Sequence, residues 1–138
     1  VRAGITAGER DEGARHQSGK LSGDSSKLKL YDYLDSGNAY KVRLVLAHLN
    51  VPFERIELDI DAGETRTREF LGKNPNGKIP ALELASGDVL CESNAILFFL
   101  AAGTALLPQG NLERARVLQW MFFEQYSHEP YIAVSRYA

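Results

Sequence analysis

The chain has 138 residues, 44% of them apolar and 25% charged, with a formal net charge of −2. This is the composition of a globular chain long enough for one ordinary domain and short for two. The charge argues against a nucleic-acid or polybasic membrane partner, and no apolar run reaches the roughly 18 residues of a bilayer span. A single cysteine, Cys91, excludes an intrachain disulfide and suits a reducing, cytoplasmic setting.

Residues 1–27, VRAGITAGERDEGARHQSGKLSGDSSK, are rich in glycine and charge. They are expected to form a disordered extension, because they bury too little surface to offset ordering. No apolar core of a secretory signal is present, and Glu9, Asp11, Glu12 and Asp24 weigh against a transit peptide. Order is expected to begin at KLKLYDYL (27–34), an alternating aromatic strand. DSGN (35–38) is a turn or helix-start signal. In AYKVRLVLAHLN (39–50), Val42, Val45, Leu46 and Leu49 share one helical face, and Asn50 is a C-terminal stop.

PFERIELDI (52–60) alternates again, and residues 64–72 make a short helix carrying Phe70 and Leu71. IPALEL (79–84) and DVL (88–90) are two further strands, joined through ASG (85–87) as a hairpin. SNAILFFLAAG (93–103) is an apolar helix that ends at a glycine. This βαβαββα order predicts an α/β fold: a mixed four-stranded sheet with helices on both faces. LLPQGN (106–111) reads as a linker. Residues 111–128 predict a long helix with Leu112, Ala115, Leu118, Gln119, Phe122 and Tyr126 on one stripe. Val117, Trp120, Met121 and Phe123 lie elsewhere around it. A helix apolar on so many sides calls for several neighbours, so residues 106–138 are expected to open an incomplete all-helical domain. The chain starts at Val1, its only methionine is Met121, and it ends on the patterned YIAVSRYA. A truncated reading frame or a fragment is therefore the expectation.

Three polar stretches carry candidate chemistry. DSGNAYK (35–41) is, by residue type, a polar turn and helix cap. NPNGKIPAL (74–82) sets Pro80 inside a predicted strand, where it has no N–H for a ladder. Either Pro80 lies on a strand edge, or something other than the neighbouring strand pairs with the backbone there. ESNAI (92–96) starts a helix, whose free N–H groups attract an anion. Ile96 stands where a reciprocal capping box needs Glu or Gln. No CxxC occurs. His16, His48 and His128 show no metal spacing, and HEPYI (128–132) lacks the second histidine of HExxH.

Together, the βαβαββα order, SGNAYKVRLVL, NPNGKIPAL and ESNAI resemble the glutathione transferases. The SGNxxK arrangement is most similar to bacterial members of the nu and related theta-like or phi-like groups. The resemblance covers residues 28 to about 138: a thioredoxin-like glutathione-binding domain over 28–105, then the start of the helical domain. It implies a cis Ile79–Pro80 peptide that offers the Ile79 backbone to the cysteinyl part of glutathione. It implies that Ser93 holds the γ-glutamyl carboxylate and Glu92 the amino group. Ser36 is implied as the hydroxyl donor to the sulfur, with the Asn38 amide beside it; Tyr31 and Tyr33 are weaker candidates. Lys78 and Arg66 are implied contacts to the glycine carboxylate, against a plain reading as surface charges.

Arg43 reads as structural, and Cys91 as a small buried thiol. Glutathione is the implied co-substrate, with a small electrophile or disulfide as second substrate and no metal. A homodimer built partly on the 111–128 helix is the implied assembly. The alternative is a non-catalytic glutathione-binding or interaction module. The resemblance implies that substrate choice is set largely by a part of the helical domain beyond residue 138.

Overall fold

The computed structural model describes residues 28–133. The expected disorder of residues 1–27 concerns a segment outside that range. Four strands form one sheet in the order β2-β1-β3-β4. Strand β1 (Lys29–Asp32) runs parallel to β2 (Glu54–Glu57) and antiparallel to β3 (Ala81–Glu83). Strand β4 (Val89–Cys91) closes a hairpin on β3. Between β1 and β2 runs helix α1 (Gly37–His48), the crossover that a parallel pair requires. A 3₁₀ turn (Glu64–Arg66) and helix α2 (Arg68–Lys73) precede β3, and helix α3 (Ser93–Ala101) follows β4.

The two sheet faces bury different residues, as strand alternation dictates. On one face Leu28, Leu30 and Leu82 meet Val42 and Leu46 of α1 and Ile96 and Leu100 of α3. On the other, Tyr31 and Ala81 pack against Phe70 of α2. Helices thus cover both faces, as the element order predicted. Helix α1 ends where Asn50 takes a left-handed φ of 53°. The Val51 N–H donates to the Leu46 carbonyl and the Asn50 N–H to the Ala47 carbonyl, the two bonds of a Schellman stop.

Two elements differ from expectation in ways that matter. The third strand starts at Ala81, not Ile79: Pro80 precedes the ladder instead of interrupting it, because a residue with no N–H cannot join it. The long C-terminal helix also breaks. Helix α4 (Asn111–Phe123) passes into a π-helical turn (Glu124–His128) and then α5 (Glu129–Ile132). No residue of α4 is buried among the described residues. Trp120, Phe122, Phe123 and Tyr126 are all more than half exposed, which accords with a helix that needs further neighbours.

Candidate functional site

The end of β1 is anchored by an ion pair that no local pattern announces. Asp32 is fully buried, with Arg43 Nη1 at 2.6 and 2.7 Å and Arg55 Nε at 2.5 Å. Arg43 Nη2 also donates to the Leu34 carbonyl at 2.9 Å, and Glu57 accepts from the Leu34 N–H. The expected structural role of Arg43 is therefore specific: it braces the loop that delivers Ser36. That loop closes with the Ser36 N–H donating to the Tyr33 carbonyl.

Ser36 is the N-cap of α1, its Oγ accepting from the Ala39 N–H at 3.2 Å. Accepting uses a lone pair, so the hydroxyl hydrogen is left to donate elsewhere. Asn38 lies in the first turn, and its Oδ1 accepts from the Ser93 hydroxyl at 3.3 Å. With the amide oxygen so engaged, the N–H₂ end is the remaining donor.

The opposite wall is the Asn74–Pro80 loop. Asn74 is buried and organises it: Nδ2 donates to the Lys78 carbonyl at 2.6 Å, Oδ1 accepts from the Asn76 N–H, and the Asn74 carbonyl accepts from the Gly77 N–H. Gly77 has φ 59°, and a Cβ there meets Arg66 Nη1 at 2.8 Å and the Thr65 carbonyl at 2.9 Å. Only glycine fits this turn against the 3₁₀ segment. Ile79–Pro80 is cis, and Ile79 lies beyond the last registered pair, Tyr31 with Ala81.

These walls enclose an open cleft of about 820 Å³, lined by Ser36, Asn38, Arg66, Lys78 and Ile79. The structure therefore brings together five of the eight residues named from sequence. Pro80, Glu92 and Ser93 do not line it. Pro80 is buried beneath the loop. Ser93 is buried behind Asn38, its hydroxyl also 3.4 Å from Gln125 Oε1. Glu92 is exposed, has φ 70° and makes no side-chain cap to α3. Arg66 Nη1 donates to the Asn76 carbonyl at 3.3 Å, which ties it to the loop.

Of the two tyrosines, Tyr31 is buried and donates to Glu83 Oε2 at 2.7 Å. Tyr33 lines the cleft, but its hydroxyl donates to Asp61, and the negative charge of Asp61 pushes the phenol pKa up. Cys91 is half-buried, not buried as expected; its partial burial, and then Glu92, push the thiol up, which fits an unreactive cysteine. Sequence reasoning missed Asn74 as the loop's organiser, and it missed Glu124, His128 and Glu129, which complete the cleft from the helical segment. Only the turn chemistry of Asn-Pro-Asn-Gly gave a signal for the first. Among the described residues no group of three His, Cys, Asp or Glu is placed to hold a metal, and no helix is long and apolar enough to cross a membrane.

A βαβαββα layer with a cis-proline loop facing a helix N-terminus defines a thioredoxin-like domain of the glutathione-transferase kind. The family model for the glutathione S-transferase N-terminal domain matches residues 26–102; the chain belongs to the glutathione S-transferase family. The crystal structure of a glutathione S-transferase from Pseudomonas fluorescens is 57% identical, with a TM-score of 0.78 over 80% of this chain and 55% of that one. The structure of Ure2p in complex with glutathione is 30% identical, with a TM-score of 0.72 over 77% of this chain and 48% of that one. Protein URE2 of Debaryomyces hansenii is 35% identical over 112 residues, 75% of this chain and 36% of that protein. The chain thus spans about a third of that relative and about half of the two solved structures.

Proposed function

We propose that the protein binds glutathione in this cleft and holds its cysteinyl thiol as a thiolate for attack on small electrophiles or disulfides, a glutathione S-transferase activity. The observation that carries this reading is the convergence of Ser36 and Asn38 with Ile79, from a distant part of the sequence, on one cleft. A free thiol of pKa about 8.5 is only a few per cent ionised at pH 7. A hydrogen bond to a charged group contributes roughly 1.5–3 kcal/mol, or about one to two pKa units. Ser36 and Asn38, both at the N-terminus of α1, supply hydroxyl and amide donors together with the positive end of the helix. Most of the bound ligand then sits as thiolate, poised beside its electrophile.

Ile79, ahead of the β3 ladder, offers backbone to the cysteinyl unit, and Lys78 and Arg66 lie along the same wall for the glycine carboxylate. The backbone N–H of Ser93 at the start of α3 takes the γ-glutamyl carboxylate, which leaves its hydroxyl on Asn38, and Glu92 takes the amino group. Residues 28–105 form the glutathione-binding domain, and the helices after it open a second domain that faces the electrophile. A cytoplasmic homodimer is the assembly this reading carries.

One observation favours a second reading, a glutathione-binding module without turnover. The cap on α1 limits where the one hydrogen of the Ser36 hydroxyl can point, and the Ser93 hydroxyl is spent on Asn38 and Gln125. Both readings are tested by melting the protein with and without millimolar glutathione, then titrating the bound thiol by its ultraviolet thiolate absorbance. Ligand at 100 times its Kd stabilises by about 2.7 kcal/mol, a shift of at least about 10 °C for a domain near 100 residues. A cooperative melt that does not move refutes glutathione binding. A melt that moves while the bound thiol titrates like free glutathione selects the second reading.

A further inference from the structure

Where the helical segment meets the α/β layer, Asn38, Ser93, Gln125 and Lys41 share a short chain of hydrogen bonds. The Ser93 hydroxyl is buried, 3.3 Å from Asn38 Oδ1 and 3.4 Å from Gln125 Oε1. A hydroxyl has one hydrogen to give, so two oxygens compete for one proton. Lys41 Nζ donates to the same Gln125 Oε1 at 3.3 Å and to Glu124 Oε2 at 2.7 Å. Asn94 Nδ2 donates to Glu124 Oε2 and to the Met121 carbonyl, which fixes the segment from α3. Lys41 follows Asn38 by three positions, so the two stand on one face of α1. Adjacent residues of a regular α-helix point about 100° apart; in the π-helical turn Glu124 and Gln125 both reach one ammonium.

We propose that Lys41 and Gln125 are positioning residues for the sulfur donor: by drawing on one lone pair of the Gln125 side-chain carbonyl, Lys41 makes it the weaker competitor and biases the Ser93 proton toward Asn38. This inference rests on the reading of Asn38 as a donor to the glutathione sulfur. An amide has an acceptor end and a donor end. Held by Ser93 at its oxygen, Asn38 turns its N–H₂ end to the cleft. Released, it is free to rotate, and its carbonyl oxygen then opposes a thiolate. Gln125 belongs to the helical segment, so the docking of that segment is felt at the sulfur through a single shared proton.

The test is the pH titration of the bound glutathione thiol in a set of variants, with thermal melts run alongside. Lys41→Met frees the Gln125 carbonyl to take the Ser93 proton and is expected to raise the apparent thiol pKa by about one unit, roughly tenfold less thiolate below it. Lys41→Arg keeps the cation and is expected to titrate as wild type. Gln125→Met removes the competitor and is expected to produce no rise. The decisive variant is Lys41→Met/Gln125→Met, expected to return to the wild-type value because Asn38 is then the only acceptor.

A double variant that stays as high as Lys41→Met alone assigns the effect to lost charge and overturns the proposal; so does a Lys41→Met protein that titrates as wild type. Asn38→Ala separates the two levels: if it leaves the thiol pKa unchanged, the reading of Asn38 itself fails. If Lys41→Met does not melt cooperatively, Gln125→Glu replaces it. Its carboxylate competes more strongly for the Ser93 proton, so a raised thiol pKa that the same substitution does not add on a Ser93→Ala background supports the proposal; an equal rise on that background assigns the effect to charge and overturns it, as does an unchanged pKa.

Discussion

Ser36 is asked to do two things at once, and substitution separates them. Its Oγ accepts from the Ala39 N–H at 3.2 Å, while its hydroxyl hydrogen is the proposed donor to the glutathione sulfur. Ser36→Ala removes both. Loss of an N-cap costs about 1 kcal/mol, which lowers Tm by about 4–8 °C for a domain of this size. Loss of a hydrogen bond to a charged acceptor removes roughly 1.5–3 kcal/mol, so the bound thiol pKa rises by about one to two units. Ser36→Asp separates the effects: aspartate is an equally good cap, but its carboxylate donates nothing and repels a thiolate. The melting temperature should return to wild type while the bound thiol stays protonated near neutral pH. Differential scanning calorimetry reads the first quantity and thiolate absorbance the second. If Ser36→Asp restores both, the hydroxyl is not the donor and the assignment is wrong. If Ser36→Ala melts like wild type, the cap contributes nothing.

Asp32→Ala leaves Arg43 and Arg55 without the buried carboxylate they share. Breaking such a pair costs about 3–5 kcal/mol, so Tm should fall by at least about 12 °C; a fall of only a few degrees means that water reaches the two guanidinium groups. Gly77→Ala forces a side chain into a φ of 59° against the Thr65 carbonyl, at a cost of about 1–2 kcal/mol from the left-handed backbone alone. Glutathione affinity should fall together with Tm, as calorimetric titration reads directly, and an unchanged Kd argues against the loop as a ligand wall. Lys73, then Tyr31, hold the Glu83 carboxyl below its usual range. A depressed carboxyl contributes stability that is present above its unfolded pKa and lost as pH falls through the folded one. The Tm gap between wild type and Glu83→Gln should therefore be open at neutral pH and close below about pH 4, the usual carboxylate range. A gap that persists at pH 2 contradicts the ionic origin.

The sheet and its helices were legible because period and turn chemistry agree in each segment. Leu30 and Leu82 fall on one face by alternation, and Asn50 stops α1 in the left-handed conformation its type allows. Boundaries were less legible, for reasons that differ by element. Helix α1 begins two residues before the pattern predicted, because the Ser36 cap draws in Gly37 and Asn38, residues of low helix propensity. The strand predicted at 79–84 shrinks to Ala81–Glu83, because a ladder needs an N–H that Pro80 lacks. The expected single helix over 111–128 becomes two segments, α4 and a π-helical turn, and α5 follows beyond it. Hydrophobic spacing carries no sign of a π turn, whose wider winding is seen only in backbone bonding.

Sequence and structure inform on the site to different depths, and the dividing line is sequence distance. Ser36 and Asn38 were named because hydroxyl, glycine and amide in series are a local signal, and Ile79 because proline marks its neighbour. Asp32 was read only as part of a strand. An aspartate at a strand end looks like any surface carboxylate until the fold sets two arginines, 11 and 23 residues away, on its oxygens. Gln125 lay wholly out of reach, since its partners Lys41 and Ser93 stand 84 and 32 residues away. What unites these cases is that a donor's orientation is fixed by whatever occupies its other end. Residue type nominates Asn38 as a donor, but only the fold places Ser93 at its oxygen and the helical segment at Ser93. The strength of the proposed sulfur site is therefore a property of how the helical segment docks, and Lys41→Met or Gln125→Glu should move the thiol pKa without altering any residue that lines the cleft.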